Sequence, residues 1–158
     1  MLGARSEAGT STVEFALVAP LLFLLLVGIL DMGRAVNAYV TVSNAAREGS
    51  HYAILHPAAA PSAIASAVRA RVAPLDETKV AVATYCYNGT TFAPWVVGGL
   101  PASCPSASTA PVQVSVCYPW SAATFIGRFF PAVSPPPTGC GTGSDAYFQA
   151  TSTTDVAR

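Results

Sequence analysis

Residues 8–30 read AGTSTVEFALVAPLLFLLLVGIL, and this stretch decides the architecture of the chain. It places one carboxylate, Glu14, directly before 16 uncharged residues, Phe15–Leu30. At about 1.5 Å per residue this segment forms roughly 24 Å of helix, and apolar neighbours at both ends extend it towards the thickness of a bilayer core. Pro20 removes one backbone hydrogen bond, which membrane helices tolerate. The stretch therefore predicts a membrane-spanning helix that carries a costly charge at its start.

A cleaved secretory signal is the competing interpretation of the same stretch. Such a signal needs a positively charged start, a shorter apolar region and small residues at the cleavage site. Arg5 supplies little positive charge, and VNA at 36–38 is a poor match to the A-x-A pattern. A secretory signal also has no use for the carboxylate of Glu14. The sequence therefore favours a membrane anchor.

The composition supports one membrane segment and one small domain. Hydrophobic residues make up 52% of the 158 residues and charged residues only 10%, which is too apolar for an ordinary soluble domain. Eight Lys and Arg residues balance eight Asp and Glu residues, so the formal net charge is zero. Because nucleic-acid binding relies on a basic surface, we expect no nucleic-acid partner.

The segment after the span continues the helical pattern. Residues 31–55 read DMGRAVNAYVTVSNAAREGSHYAIL, and Pro57 and Pro61 then end the helix. The spacing predicts one packed face, formed by Met32, Val36, Tyr39, Val40, Ser43, Ala46, Gly49 or Ser50, and Ala53. Polar residues, Asp31 among them, are expected on the other faces. A single helix from Thr12 to Leu55, roughly 65 Å long, is therefore predicted, with one half in lipid and one in water.

The remaining chain predicts a small α+β domain. SAIASAVRARV (62–72) indicates a short helix with Ser62 as its N-cap and with Ile64, Val68 and Val72 on one face. Three alternating segments indicate strands, KVAVATYCY (79–87), VQVSVCY (112–118) and AYFQATSTT (146–154). We therefore expect an α+β fold, in which the long membrane-spanning helix continues into a domain with a short antiparallel sheet.

Irregular segments separate these strands. Residues 88–111 and 134–144 are rich in Pro, Ser and Gly, which indicates surface loops. Between the loops, WSAATFIGRFFPAV (120–133) contains the large apolar residues Trp120, Phe125, Ile126, Phe129 and Phe130. We expect these side chains to pack against the sheet or the long helix. The alternative is an exposed docking surface for another subunit.

Four cysteines, Cys86, Cys104, Cys117 and Cys140, all follow the apolar span. None has the C-x-x-C spacing that is typical of zinc or redox sites, so we expect no metal and predict disulfides in an oxidising compartment. Three pairings are possible. Short loop closure favours Cys86 with Cys104 and Cys117 with Cys140, and each bond would contribute about 3 kcal/mol in the chain-entropy model.

Nothing in the sequence indicates catalysis or a cofactor. His51 and His56 lie near the end of the long helix, and the spacing of the acidic residues does not indicate a catalytic pair with either histidine. Motifs for nucleophilic serine, zinc-dependent or phosphate-binding enzymes are not found. We therefore expect no catalytic residues, no cofactor and no enzyme activity.

Several sequence features of the N-terminal 55 residues occur in a fixed order along the chain. Gly9 is followed five residues later by Glu14 in GTSTVEF, then come the apolar span, GILDMGRA and VSNAAREGSHYA. Together they resemble the TadE/TadG family of minor pseudopilins, which belong to tight-adherence (Flp type) pilus machines. The resemblance covers residues 8–55 closely. One departure is that Ser50 and His51 stand where family members commonly carry Arg.

The resemblance implies a reason for the charge at the start of the span. Prepilin-type signals are cut after Gly9 by a membrane aspartic peptidase, which would leave Thr10 at the N-terminus. Glu14 would then neutralise the N-terminal ammonium of a neighbouring subunit. The implied organisation is a leader at 1–9, a transmembrane helix with its extension at 10–56, and a small extracytoplasmic domain at 57–158.

The resemblance also implies a location and partners. The chain would cross the bacterial inner membrane once, with its N-terminus in the cytoplasm, and would take part in assembly or initiation of an adhesive pilus. Its implied partners are the prepilin peptidase, other minor pseudopilins, the major Flp pilin and inner-membrane assembly platform proteins. The alternative is a membrane-anchored extracytoplasmic binding module unrelated to pili, and the mature N-terminus distinguishes the two.

Overall fold

A computed structural model describes residues 8–56, 59–95, 111–120 and 146–154. Its elements in chain order are α1 (Ala8–Leu55), α2 (Pro61–Arg69), a 3-10 turn (Glu77–Lys79), β1 (Ala81–Tyr87), β2 (Phe92–Pro94), β3 (Val112–Trp120) and β4 (Ala146–Thr154). The expected α+β fold is confirmed, because one long N-terminal helix leads into a small antiparallel sheet. The predicted loop at 134–144 and the apolar segment beyond Trp120 lie outside the described residues.

The long helix α1 has 48 residues and passes through Pro20 without interruption. It ends at Leu55, as predicted, and begins at Ala8, four residues before the predicted start. Its length at about 1.5 Å per residue is roughly 72 Å. This is more than twice the thickness of a bilayer core of about 30 Å, so the helix extends well beyond any membrane that it spans.

The face of α1 that packs on the domain differs from the predicted face in its first half. Buried residues recur at Asp31, Ala38, Val42, Ala45, Ala46, Ser50 and Ala53. The predicted members Met32, Val36 and Tyr39 are more than half exposed, and Asp31 was expected on a polar face. The predicted face is therefore confirmed from Ala46 onwards and is wrong before Ala46. Small side chains let the helix approach the domain closely, and the larger ones face outwards.

The sheet has the strand order β2-β1-β3-β4, and every neighbouring pair is antiparallel. Strand β4 has the predicted bounds. Strand β2 lies within the predicted 88–111 loop, so that prediction is wrong at Phe92–Pro94. A three-residue strand is too short to show alternation in the sequence. The strand forms because a tight turn brings it back alongside β1. In this turn Gly89 has a φ of 98° and the side chain of Asn88 accepts hydrogen bonds from the backbone N–H of Thr90 and Thr91.

The two faces of the sheet have different chemistry. The inner face carries Val112, Val114 and Val116 of β3, which are almost completely buried. Both helices cover this face, and the core also includes Val42, Ala45, Ala46, Ala53, Ile64, Val68, Val72, Val80 and Trp95. On the outer face, Gln149 Nε2 donates to Ser115 Oγ at 2.9 Å and Gln113 Nε2 donates to Thr153 Oγ1 at 3.3 Å. The inner face is therefore apolar and the outer face carries hydrogen-bonding side chains, while Ser115 and Cys117 of the outer face are buried as well.

The short helix α2 confirms one prediction and corrects another. Ile64 and Val68 are fully buried on one face, as expected, and Val72 is buried just beyond the helix end. Ser62 is not the N-cap, because the cap is Ala60 and makes no side-chain hydrogen bond. Pro61 takes the first helical position instead, where its fixed φ favours the helix and its missing N–H costs nothing.

Candidate functional site

The N-terminal part of α1, residues 8–30, is called the membrane half, and residues 31–55 are called the domain half. The membrane half presents apolar side chains on all sides. Among the described residues it is the one helix long and apolar enough to cross a membrane, and its most apolar stretch has no buried residue. The side chains at the predicted span limits, Phe15 and Leu30, are exposed by 71% and 67%. An exposed apolar surface of this size has a large free-energy cost in water and none in lipid. The helix therefore fits a single-pass membrane anchor.

The candidate processing and pairing residues lie at the start of this half. Gly9 and Thr10 are in the first turn of α1, and Glu14 follows one turn later, with all three exposed. The ion pairs among the described residues are Glu48 with Arg71 and Asp76 with Lys79, and neither includes Glu14. Within one copy of the described chain, the carboxylate of Glu14 therefore lies next to apolar side chains without a cation.

The second half of α1 meets the domain through its smallest side chains. Ala45, Ala46 and Ala53 are buried against α2 and the inner face of the sheet. Gly49 makes the closest approach, since a Cβ atom there would lie 2.5 Å from Val68 Cγ2 and 3.1 Å from Val114 Cγ1. Both distances are shorter than ordinary van der Waals contacts. The Gly at this position thus sets the distance between the helix and the sheet.

Ser50 is 1% exposed and connects α1 to the edge of the sheet. Its hydroxyl donates to the backbone oxygen of Arg47 at 2.8 Å and lies 2.9 Å from Ser152 Oγ on β4. Because a hydroxyl has one proton, Ser152 is the donor in the second bond. The pair satisfies two polar groups in an otherwise apolar contact, where unpaired hydroxyls would be costly.

The charged and aromatic residues around this contact face outwards. Arg71 Nη2 lies 3.2 Å from Glu48 Oε1, and both side chains are largely exposed, so the pair contributes about 0–1 kcal/mol. His51 is exposed, and the exposed ring of His56 stacks on Tyr52 at a centroid distance of 4.3 Å. In the described part of the chain, no group of three or more His, Cys, Asp or Glu residues could hold a metal ion.

The two cysteines within the described residues lie on neighbouring strands. Cys86 on β1 is paired with Val112, and Cys117 on β3 is paired with Ala81, so they sit at opposite ends of the ladder. Side chains alternate between faces, which places Cys86 on the inner face and Cys117 on the outer face. A direct bond between them is therefore geometrically excluded. Cys104 and Cys140 lie outside the described residues, and the predicted pairs stay a prediction.

The turn that precedes β1 contains the described group whose pKa is clearly shifted. Asp76 Oδ1 accepts from Thr78 Oγ1 at 2.6 Å and from the Thr78 backbone N–H at 3.1 Å. These two bonds, in that order, lower the pKa of Asp76 below its ordinary value of 3.8, and the nearby Lys79 adds to the effect. Hydrogen bonds to a carboxylate favour its charged form. The turn is therefore ordered by a charged cap.

Residues 9–51 match the model of the TadE-like protein family. The match confirms the resemblance and is consistent with a TadE-like protein of the Tad pilus system. No curated protein and no solved structure matches the chain.

The TadE-like segment ends inside α1, shortly before Leu55. It includes both halves of the helix, from Gly9 at the start of the span to Gly49 and Ser50 at the contact with the sheet. The sequence pattern includes both groups but does not reveal that the second group contacts the sheet. A run such as AAREGS indicates close packing only when the facing Val68 and Val114 are known, and these lie far away in the sequence.

Proposed function

We propose that this chain is a minor pseudopilin that acts in the assembly or initiation of a Tad pilus. The observation that carries the proposal is the single carboxylate at the start of an exposed apolar helix that continues rigidly into the core of the domain. A charge in that position is retained only where something compensates it. A neighbouring subunit's N-terminal ammonium, created by cleavage after Gly9, is the partner proposed for Glu14.

The proposed location is the bacterial inner membrane, with the N-terminus in the cytoplasm and the sheet domain outside. The proposed partners are the prepilin peptidase, other minor pseudopilins, the major Flp pilin and the assembly platform. The protein acts through these contacts and has no enzyme activity of its own. A binding module unrelated to pili remains the alternative, and the state of the N-terminus separates the two functions.

Processing is tested by co-expression with a cognate prepilin peptidase, followed by N-terminal sequencing of the membrane-extracted protein. We expect removal of residues 1–9 and a new N-terminus at Thr10. Gly9→Arg should block the cleavage, because a large side chain is placed at the scissile bond. Gly3→Arg is the matched control within the leader and should be cut. An intact leader in the parent protein, or a cut near Ala38, would refute the pseudopilin function.

Pairing is tested with Glu14→Gln, which keeps the shape of the side chain and removes its charge. Cleavage and membrane insertion should persist, and insertion should become easier. Co-purification with partner pseudopilins and piliation should fall, because the partner's ammonium is left without a counter-charge in a low-dielectric setting. Glu48→Gln, the same change on the exposed domain half, is the control. Normal piliation with Glu14→Gln contradicts the pairing.

The disulfides proposed for the domain are tested by mass spectrometry without reduction. Protein taken from the oxidising compartment should contain no alkylatable thiol and should release peptides that link Cys86 to Cys104 and Cys117 to Cys140. The opposite faces of the two described cysteines leave one other arrangement, Cys86 with Cys140 and Cys104 with Cys117. Four free thiols would show that the domain is stable without disulfides.

A further inference from the structure

The part of the domain closest to the span contains an open cleft of about 430 Å³. Arg34, Asn37 and Ala38 of α1 form one wall, just after the apolar stretch ends. The opposite walls come from the turn before β1, with Asp76 and Lys79, and from the end of β3, with Tyr118 and Trp120. The cleft thus joins three separate parts of the chain at one depth along the helix.

That depth corresponds to the headgroup layer of a bilayer. Arg34 is four residues beyond Leu30, which places it about 6 Å further along the helix axis. The headgroup layer extends about 5–8 Å beyond the hydrocarbon core on each side. When the apolar half of α1 spans the membrane, the wall that carries Arg34 therefore lies at the level of the lipid phosphates.

The charges in the cleft suit an anion. Lys79 Nζ lies 3.7 Å from Asp76 Oδ2, so these two charges largely cancel. Arg34 belongs to neither of the ion pairs found among the described residues. The described lining therefore has one net positive charge, and Asn37 adds an amide donor. A guanidinium presents several N–H donors in a planar fork, which matches the oxygens of a phosphate.

Aromatic side chains beside the cleft give a second sign of a membrane interface. Tyr118 and Trp120 line it, and the Trp120 ring lies 5.7 Å from that of Phe148 on β4. The Phe148 ring in turn meets Tyr39 of α1 edge-on at 6.2 Å. Trp and Tyr are enriched at the headgroup level, where one end of the ring is apolar and the other is hydrated. An aromatic cluster and a cation that belongs to neither ion pair of the described residues thus occur at the same depth.

We propose that this cleft binds the phosphate of a membrane phospholipid headgroup, with Arg34 as its main ligand and Lys79 and Asn37 as additional donors. The acyl chains would lie along the apolar half of α1. The site would hold the domain at a defined height and orientation on the membrane surface. The proposal rests on the membrane anchoring of α1 and is independent of a role in pili.

The test uses the full-length protein in a non-ionic detergent and native mass spectrometry with two lipids of equal acyl chains. We expect a one-to-one complex with dioleoylphosphatidylglycerol and none with dioleoylglycerol, which lacks the phosphate. Arg34→Gln should weaken the phospholipid complex about tenfold, and Arg34→Lys should restore part of the binding. Arg69→Gln, which removes the same charge from a surface outside the cleft, is the matched control and should bind as the parent does.

Inorganic phosphate at millimolar concentration distinguishes the lipid from free phosphate as the ligand. It should not displace the lipid, because it lacks acyl chains to lie along α1. Full displacement, equal binding of dioleoylglycerol, or equal losses in Arg34→Gln and Arg69→Gln would each overturn the headgroup site. Flotation with vesicles is the separate control for anchoring. If the protein floats with the vesicles but binds lipid independently of Arg34, the membrane anchor is supported and the headgroup site is refuted. If the protein does not float, both the anchor and the site are refuted.

Discussion

The two halves of α1 form one continuous helix but follow opposite packing rules. In the membrane half the large side chains are exposed, as in Leu17 at 74% and Phe23 at 70%. In the domain half the apolar residues that are buried are small, and Val42 is the largest side chain of α1 that is fully buried. Lipid accepts apolar side chains without a packing partner, whereas water favours their burial against the domain. The same backbone thus carries two sets of side chains, one that suits lipid and one that packs on a domain.

A charge placed in the membrane half should have the largest effect. Leu22→Arg puts a guanidinium near the centre of the span and should raise the free energy of insertion by about 3 kcal/mol. Val40→Arg, at an exposed position in the domain half, should leave insertion unchanged. Resistance to alkaline extraction from membranes measures the difference. Equal extraction of both variants would show that α1 does not divide into two halves as described.

A large side chain at the closest contact should have the next largest effect, on the stability of the domain. Gly49→Leu must displace Val68 and Val114, and overpacking of this kind costs about 1–3 kcal/mol. Gly33→Leu is the matched control, because a Cβ atom there has nothing within 4 Å. Denaturant unfolding in micelles, followed by the Trp fluorescence, compares them. If both variants unfold at the same denaturant concentration as the parent, the tight contact at Gly49 is wrong.

Two valines, one helical half-turn apart, sharpen the comparison further. Val42 is completely buried and Val40 is 47% exposed on the same helix. Val42→Ala should lower the free energy of unfolding by about 2 kcal/mol, since it removes two methyl groups and leaves a cavity. Val40→Ala should change it by less than about 0.5 kcal/mol. Thermal or denaturant unfolding of the pair gives the answer, and a larger loss for Val40→Ala would reverse the assigned faces.

The smallest effect is expected at the exposed turn before β1. The pKa of Asp76 is lower in the folded state than its ordinary value of 3.8, so its charged form stabilises the fold. This contribution is complete above the ordinary pKa and is lost as the pH falls through the folded-state value. The difference in melting temperature between the parent and Asp76→Asn should therefore shrink between about pH 6 and about pH 3. A difference that grows with acidification contradicts the capped turn.

Much of the fold could be predicted because its signals are local. The uninterrupted apolar run after Glu14 predicts a helix, and alternation in AYFQATSTT gives the bounds of β4 without error. Strand β2 was not predictable in the same way, since three residues contain no period and the strand exists only by pairing with β1. Ser62 has the chemistry of an N-cap, but Pro61 before it occupies the first helical position and moves the cap to Ala60.

The candidate site shows the same division. The order of Gly9, Glu14, the apolar span, GILDMGRA and VSNAAREGSHYA is a linear pattern, and it led to the resemblance to the TadE-like family without any structure. The cleft near Arg34 was not predicted, because it joins residues from α1, from the turn at Asp76 and from β3. Residues that are about 40 and about 85 positions away in the sequence meet only after the chain has folded.

The sequence by itself determined that this chain has one apolar anchor, that the helix continues beyond it and that a small α+β domain follows. Composition and periodicity are sufficient for this, since lipid and water each select side chains locally. The tertiary structure decided which face of α1 is buried, why position 49 must be Gly, and that Cys86 and Cys117 point to opposite faces. The first two outcomes depend on the distance between α1 and the sheet, which is set by Val68 and Val114 and therefore by no single segment of the sequence. The third depends on the register in which β1 pairs with β3, two strands that are separated in the sequence.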